Sequence, residues 1–310
     1  RRAETRMTDK TVIRAADAEP LARPGLAAFW MIGAILSFSS MAIAGRAASL
    51  ELDTFEMMTW RSAVGLVIVL TIGGLAGTLG QITRRSLHLH FARNLAHFTG
   101  QNLWFFAITV SPLALVFALE FTSPLWTMAL AAIFLGERLT RLKVLAGVLG
   151  FAGVLFVVQP GAAPLSSGMV TAATAAILFA TTAIFTKKLT ATETITCILF
   201  HLTAMQLVMG LSASLYDGDM ALPSMATLPW VVLIGVAGLT AHFCLTTALS
   251  IAPASIVMPM DFARLPAIAV IGMMFYDEPL AWGVALGAVL IFAGNYINIL
   301  GARPPRTRSR

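Results

Sequence analysis

The sequence predicts an all-α integral membrane protein of ten transmembrane helices, built as two inverted five-helix repeats. Three observations predict it. Of 310 residues 58% are apolar and only 12% charged, where a soluble domain carries roughly 25% charged residues. So apolar a chain needs a lipid-facing surface. The apolar residues gather into ten segments, most of them near the ~20 residues that cross a hydrocarbon core. Finally, residues 107–158 return 141 residues later as 248–299, with 13 of 52 positions identical and no gap. The matches include Pro112/Pro253, Phe121/Phe262, Glu137/Glu278 and Phe151-Ala152-Gly153 against Phe292-Ala293-Gly294, and Glu120 falls on Asp261. Turn-forming and charged positions match along with apolar ones, which marks a duplicated unit.

In chain order, residues 1–25 are polar and hold six bases. They lack the apolar core of a signal peptide, so a disordered cytoplasmic tail is expected. The apolar segments follow near 26–46, 57–79, 93–109, 112–135, 141–159, 168–186, 194–214, 228–250, 253–275 and 281–300. Repeat 1 thus covers 26–160, repeat 2 covers 166–300, and 301–310 is a basic cytoplasmic tail. The third segment meets the fourth at Ser111-Pro112, as the eighth meets the ninth at Ala252-Pro253.

Charge placement sets the orientation. With ten spans, one side collects 18 of the 21 bases: those of both tails, Arg84, Arg85, Arg93, Arg138, Arg141, Lys143, Lys187 and Lys188. The opposite side has Arg46, and Arg61 and Arg264 fall within segments. Lys and Arg are retained in the cytoplasm, so both termini face inward. The outer breaks carry acids instead: Glu51, Asp53 and Glu56; Asp217 and Asp219; Asp277 and Glu278. Five helices per repeat is odd, so the second copy enters the membrane upside down. Repeats related by a two-fold axis in the membrane plane are a transporter construction, in which two halves rock about a site near the midplane. The bases lie in tails and short breaks, which argues against a nucleic-acid partner. The expected partners are the lipid bilayer and a small-molecule substrate.

Residues 112–157 resemble the EamA-type repeat of the drug/metabolite transporter superfamily. The resemblance rests on a mid-helix proline (Pro124), a glutamate after the helix (Glu137) and a Gly-rich helix. Residues 252–300 are similar, with Pro266, Glu278, Gly287 and Gly294. The resemblance implies ten helices and movement of small metabolites across the bacterial inner membrane, often amino acids. Other members carry nucleotide-linked compounds, vitamins or sugar derivatives. It implies a secondary transporter exporting an amino acid or related compound. Uptake of a nucleotide-like metabolite or vitamin is the alternative.

Ionisable groups within spans cost of order 3 kcal/mol at mid-helix, so each is a candidate site residue. Glu120 and Asp261 occupy equivalent central positions of the two repeats. Arg264 follows Asp261 by three residues, on the same helical face, as an ion pair locking the ninth helix or as part of the site. Glu120 has no base within a helical turn. It is therefore expected to carry a proton for substrate coupling, or to bind an ammonium group. His97, Gln101 and Trp104 share one face of the third helix at i, i+4, i+7, and His242 is the 141-shifted partner of Gln101. That face is either a packing seam or the wall of a cavity. Arg61 is expected to snorkel to the interface, and His201 to be a packing histidine. Phe38 and Trp126 could stack on a planar ligand. Pro112, Pro124, Pro253, Pro259 and Pro266 start or interrupt the fourth and ninth helices, which makes these candidate gating elements. Glycines of the fifth and tenth helices form packing faces that can also serve a homodimer.

Enzyme chemistry finds little support. Gly73-Gly74-Leu75-Ala76-Gly77 is followed by no Gly-Lys-Ser/Thr, so no P-loop is present. The histidines show no metal-ligand spacing, and Cys197 and Cys244 give no disulfide framework. Neither metal nor cofactor is expected. An intramembrane enzyme using Glu120, Asp261 and His97 is the reading from another class.

Overall fold

The computed structural model describes residues 23–111, 113–158, 166–216, 220–265 and 282–301. Every regular element among them is helical. Both tails, Pro112, Pro266, Asp217, Asp219, Asp277 and Glu278 lie outside the described residues.

Helix α1, Pro24–Ala48, begins with a proline, whose missing N–H costs nothing in a first turn. Helix α2, Thr54–Leu75, opens with a capping box: Asp53 Oδ1 accepts from the Glu56 N–H and Glu56 Oε2 from the Asp53 N–H, both at 2.8 Å. It is closed by Gly77 at φ +68°, a left-handed position that favours glycine. A 3-10 turn, Leu79–Gln81, leads to α3, Leu87–Val110. Next come α4 (Leu113–Glu120), α5 (Ser123–Phe134) and α6 (Arg141–Val158). The hydroxyls of Ser166 and Thr194 cap α7 (Ser167–Leu189) and α8 (Ile195–Ser214), each accepting a backbone N–H at 3.3 Å. Helix α9 runs Leu228–Ile251, α10 is the single turn Ala254–Val257, and α11 is Trp282–Gly301.

Helices α1, α2, α7, α8 and α9 are each long and apolar enough to cross a membrane. Their outer faces carry apolar stripes, such as Phe29, Ile32 and Leu36 on α1, all exposed. Water would penalise such stripes; lipid does not.

Two features depart from the sequence expectation. The third helix begins at Leu87, six residues before the predicted start, so Arg93 lies inside it. The fourth and ninth helices are broken outright. Helix α4 ends at Glu120, Phe121 and Thr122 turn, and Pro124 sits in the first turn of α5, where its lost donor is harmless. Helix α10 gives way to a 3-10 stretch, Met258–Ala263, that begins with Met258-Pro259. Both candidate carboxylates therefore stand at breaks.

Helix α1 packs on α9 and α3 on α7, while α2 pairs with α8 and α6 with α11. A Cβ on Gly153 would stand 2.6 Å from the Gly287 carbonyl oxygen, and one on Gly294 2.7 Å from that of Ala146. The backbones of α6 and α11 thus touch, as small residues permit between membrane helices. The glycine faces expected to serve packing or a dimer are covered within the chain at these positions.

Glu137, the glutamate of the repeat pattern, has a clear local role. Its carboxylate accepts the backbone N–H groups of Ala254 (2.8 Å) and Ser255 (3.0 Å) and the Ser255 hydroxyl. It thereby satisfies orphan donors where the ninth segment begins.

Candidate functional site

Helix α3 supplies a ladder. Arg93, His97, Gln101 and Trp104 recur at spacings of four, four and three residues, so they share a face. All four are buried. From Arg93 to Trp104 the ladder rises roughly 16 Å at 1.5 Å per residue.

At its start, Arg93 donates to Thr186 Oγ1 (3.2 Å), Asn94 Oδ1 (2.8 Å) and His242 Nδ1 (3.4 Å). A guanidinium only donates, so Nδ1 of His242 is an acceptor and its Nε2 carries the proton. That Nε2 lies 3.1 Å from Nε2 of His97, which must accept, leaving the His97 proton on Nδ1. One arginine thus sets the tautomers of two histidines.

At the far end, the Trp104 indole N–H donates to Glu120 Oε2 at 2.6 Å. The Arg264 guanidinium donates to Glu120 Oε1 and to Asp261 Oδ2, the latter at 2.9 Å. It also lies over the rings of Phe121 (5.0 Å) and Phe38 (5.6 Å), a cation–π arrangement. Two carboxylates thus share one cation. This corrects the expectation that Glu120 lacks a basic partner: Arg264 reaches it from 144 residues away.

These groups line one cavity, whose atom-free volume is ≈ 750 Å³ including its mouth. It brings together Glu120, Asp261, Arg264, His97, Gln101, Trp104 and His242, and Phe38 joins them. Trp126 does not; it is 45% exposed on the outer face. Sequence reasoning missed Arg93, counted among the cytoplasmic bases, and Phe179, Thr182 and Thr186 of α7. The four-residue spacing of Arg93 from His97, about one helical turn, was the available signal. Arg61 is likewise corrected. It does not snorkel but is 5% exposed, donates to Gln206 Oε1 at 3.2 Å and lies over Gly238. Among the described residues, neither Arg61 nor Arg93 has a carboxylate partner.

Some polar atoms on the cavity wall are left open. Ser123 Oγ, Asp261 Oδ1 and Arg264 Nε are buried without a hydrogen-bond partner among the described residues. Buried polar groups are normally satisfied, so this wall has capacity for a ligand or water.

The EamA-like transporter family matches residues 25–159 and again residues 166–300. The chain belongs to that family. It is therefore a membrane transporter rather than an enzyme. It is 24% identical to an S-adenosylmethionine uptake transporter of Rickettsia bellii, over 84% of this chain and 89% of that one. A riboflavin transporter of Rhizobium johnstonii is 27% identical, over 88% and 90% of the two chains. A pseudopaline exporter of Pseudomonas aeruginosa is 28% identical, over 84% and 91%. A solved crystal structure shares the fold at a TM-score of 0.76, with 17% identity, covering 89% of this chain and 97% of its own.

Proposed function

We propose that this transporter moves a small metabolite across the bacterial inner membrane by alternating access, with the cavity between α3 and the two broken helices as its binding site. In this reading ten spans form two inverted repeats, 26–160 and 166–300, with both termini cytoplasmic. The packing supports it. A shift of 141 residues carries α3, Leu87–Val110, onto α9, Leu228–Ile251, and α1 onto α7. The α1–α9 pair thereby becomes the α7–α3 pair, while α2–α8 and α6–α11 map onto themselves. A two-fold relation does this; a simple tandem would not.

The cargo reading rests on one observation, the polarity of the cavity along α3. Arg93, with no carboxylate partner among the described residues, marks one end, and two carboxylates sharing Arg264 mark the other. The aromatic rings of Phe38, Trp104 and Phe179 line the same space. Specific sites combine such apolar walls with a few placed polar groups. A ligand with a flat ring, an anionic group and a cationic one meets all three features. The relatives named for S-adenosylmethionine and riboflavin move ring-bearing compounds. We therefore favour uptake of a nucleotide-like metabolite or vitamin over export of a plain amino acid.

Purified protein would be heated with S-adenosylmethionine, riboflavin or single amino acids, and its melting temperature recorded. The reading expects stabilisation by a ring-bearing compound that Arg93→Gln abolishes. Stabilisation by plain amino acids alone would return the cargo to that class.

A further inference from the structure

Away from the cavity, the first turns of α3 meet the first turns of α8. His90, Cys197 and His201 are buried there, and one ligand atom of each lies within 4.8 Å of the others. Cys197 Sγ is 4.0 Å from His90 Nε2. The His90 and His201 ring centroids lie 4.2 Å apart, with the planes tilted by 35°. Nδ1 of each histidine and Oε1 of Glu193 are buried with no hydrogen-bond partner among the described residues. Glu193, 9% exposed in the turn before α8, keeps its Oε2 on the Thr83 hydroxyl at 2.7 Å. The expectations that no metal site exists and that His201 is a packing residue left this group unassigned.

We propose that His90, His201 and Cys197 form a site for a divalent cation of the zinc class that clamps α3 to α8, with the neighbouring Glu193 carboxylate turning in to complete it. Two imidazoles, one thiolate and one carboxylate are a donor set for a borderline cation, and a poor one for magnesium or calcium. With bonds of about 2.0–2.3 Å, the edges of a tetrahedral site run roughly 3.3–3.8 Å. The 4.0 Å between Cys197 Sγ and His90 Nε2 therefore needs to close by only a few tenths of an ångström. The cation binds the thiolate, and the Cys197 proton leaves to solvent. The site also adjoins the cavity. Asn94, one turn beyond His90, donates to the His201 carbonyl at 3.1 Å and accepts from Arg93 at 2.8 Å. A cation joining α3 to α8 would hold the cavity ladder to its neighbour, so on the transport reading it slows cycling.

The test uses the full chain in detergent, stripped with a chelator and titrated with Co²⁺, then with Zn²⁺. One Co²⁺ per chain should give the ligand-field bands of tetrahedral coordination and a thiolate-to-cobalt charge-transfer band, both displaced by Zn²⁺. Cys197→Ser should remove the charge-transfer band, and His201→Gln should weaken binding at least ~100-fold, beyond the 10–100-fold cost of losing an outer partner. Cys244→Ser should change neither. Elution as a folded, monodisperse protein is required of each variant. Absence of the bands in the wild type, or a thiolate band that survives in Cys197→Ser, overturns the site. Neither result depends on the cargo. In liposomes, transport that Zn²⁺ slows in the wild type but not in Cys197→Ser supports the clamp. Metal binding without any slowing overturns the clamp and leaves the transport reading standing.

Discussion

The Glu120–Arg264–Asp261 triad makes its three members unequal, and the inequality can be measured. At 2.9 Å and an effective dielectric of about 20, the Asp261–Arg264 attraction is roughly 6 kcal/mol before desolvation is counted. Removing one acid leaves the other still paired with Arg264. Glu120→Gln and Asp261→Asn should each cost only about 1–2 kcal/mol, the scale of a lost charged hydrogen bond. Arg264→Gln instead leaves two carboxylates facing each other at membrane depth with no cation. Breaking a buried pair in this way costs about 3–5 kcal/mol. At roughly 2–4 °C per kcal/mol, the scaling of large globular domains, Arg264→Gln should lower the melting temperature by roughly 6–20 °C and either acid variant by a few degrees. The assay is thermal unfolding of purified protein in detergent. The double variant Glu120→Gln/Arg264→Gln should recover part of the loss, because one of the two repelling charges is gone. An Arg264→Gln protein as stable as the wild type, or less affected than Glu120→Gln, would refute the shared-cation account.

Trp104→Phe keeps an aromatic ring but removes the donor to Glu120 Oε2; ligand affinity should fall by roughly 10-fold, about 1.4 kcal/mol, and the melting temperature by a few degrees, as for the other variants that lose a charged hydrogen bond. Gly153→Val would place side-chain atoms on the Gly287 carbonyl, so folded yield should drop sharply, while Gly25→Ala, at an open position, should be silent. In cells expressing a variant without Cys197 and Cys244, an impermeant thiol reagent should label cysteine at exposed Met225 but not at Arg85; the reverse pattern would invert the topology. Hydrogen bonds from the Thr227 and Ser224 side chains hold the Glu51 carboxyl below its ordinary value. A depressed carboxylate stabilises the fold above its unfolded value and loses that contribution as pH falls through the folded one. Acidification from about pH 5 to well below about pH 4 should therefore lower the wild-type melting temperature more than that of Glu51→Gln.

Most of the site was legible because the duplication pointed to it. Glu120 and Asp261 are images of one another, and the i, i+4, i+7 run of His97, Gln101 and Trp104 marks one helix face. What escaped was partnership across distance. Arg264 reaches Glu120 over 144 residues and Arg61 reaches Gln206 over 145, whereas local pattern extends only a turn or so. Arg93 was misplaced for a related reason. Hydropathy treats a base as the end of a span, but Thr186 and His242 satisfy this one inside the bundle. The breaks at Glu120 and in Met258–Ala263 were readable only as kinks. A proline beside a chain break and one within a continuous bend look the same in sequence.

The central claim is that the cavity between α3 and the broken helices is the path of a small, ring-bearing metabolite. Counterflow in liposomes tests it most directly. Purified protein would be reconstituted with unlabelled S-adenosylmethionine or riboflavin inside, and labelled compound added outside. The account predicts saturable, transient accumulation of label that is lost in folded Arg93→Gln and Trp104→Phe proteins. Accumulation unchanged in both variants, or none with any ring-bearing cargo, would contradict it.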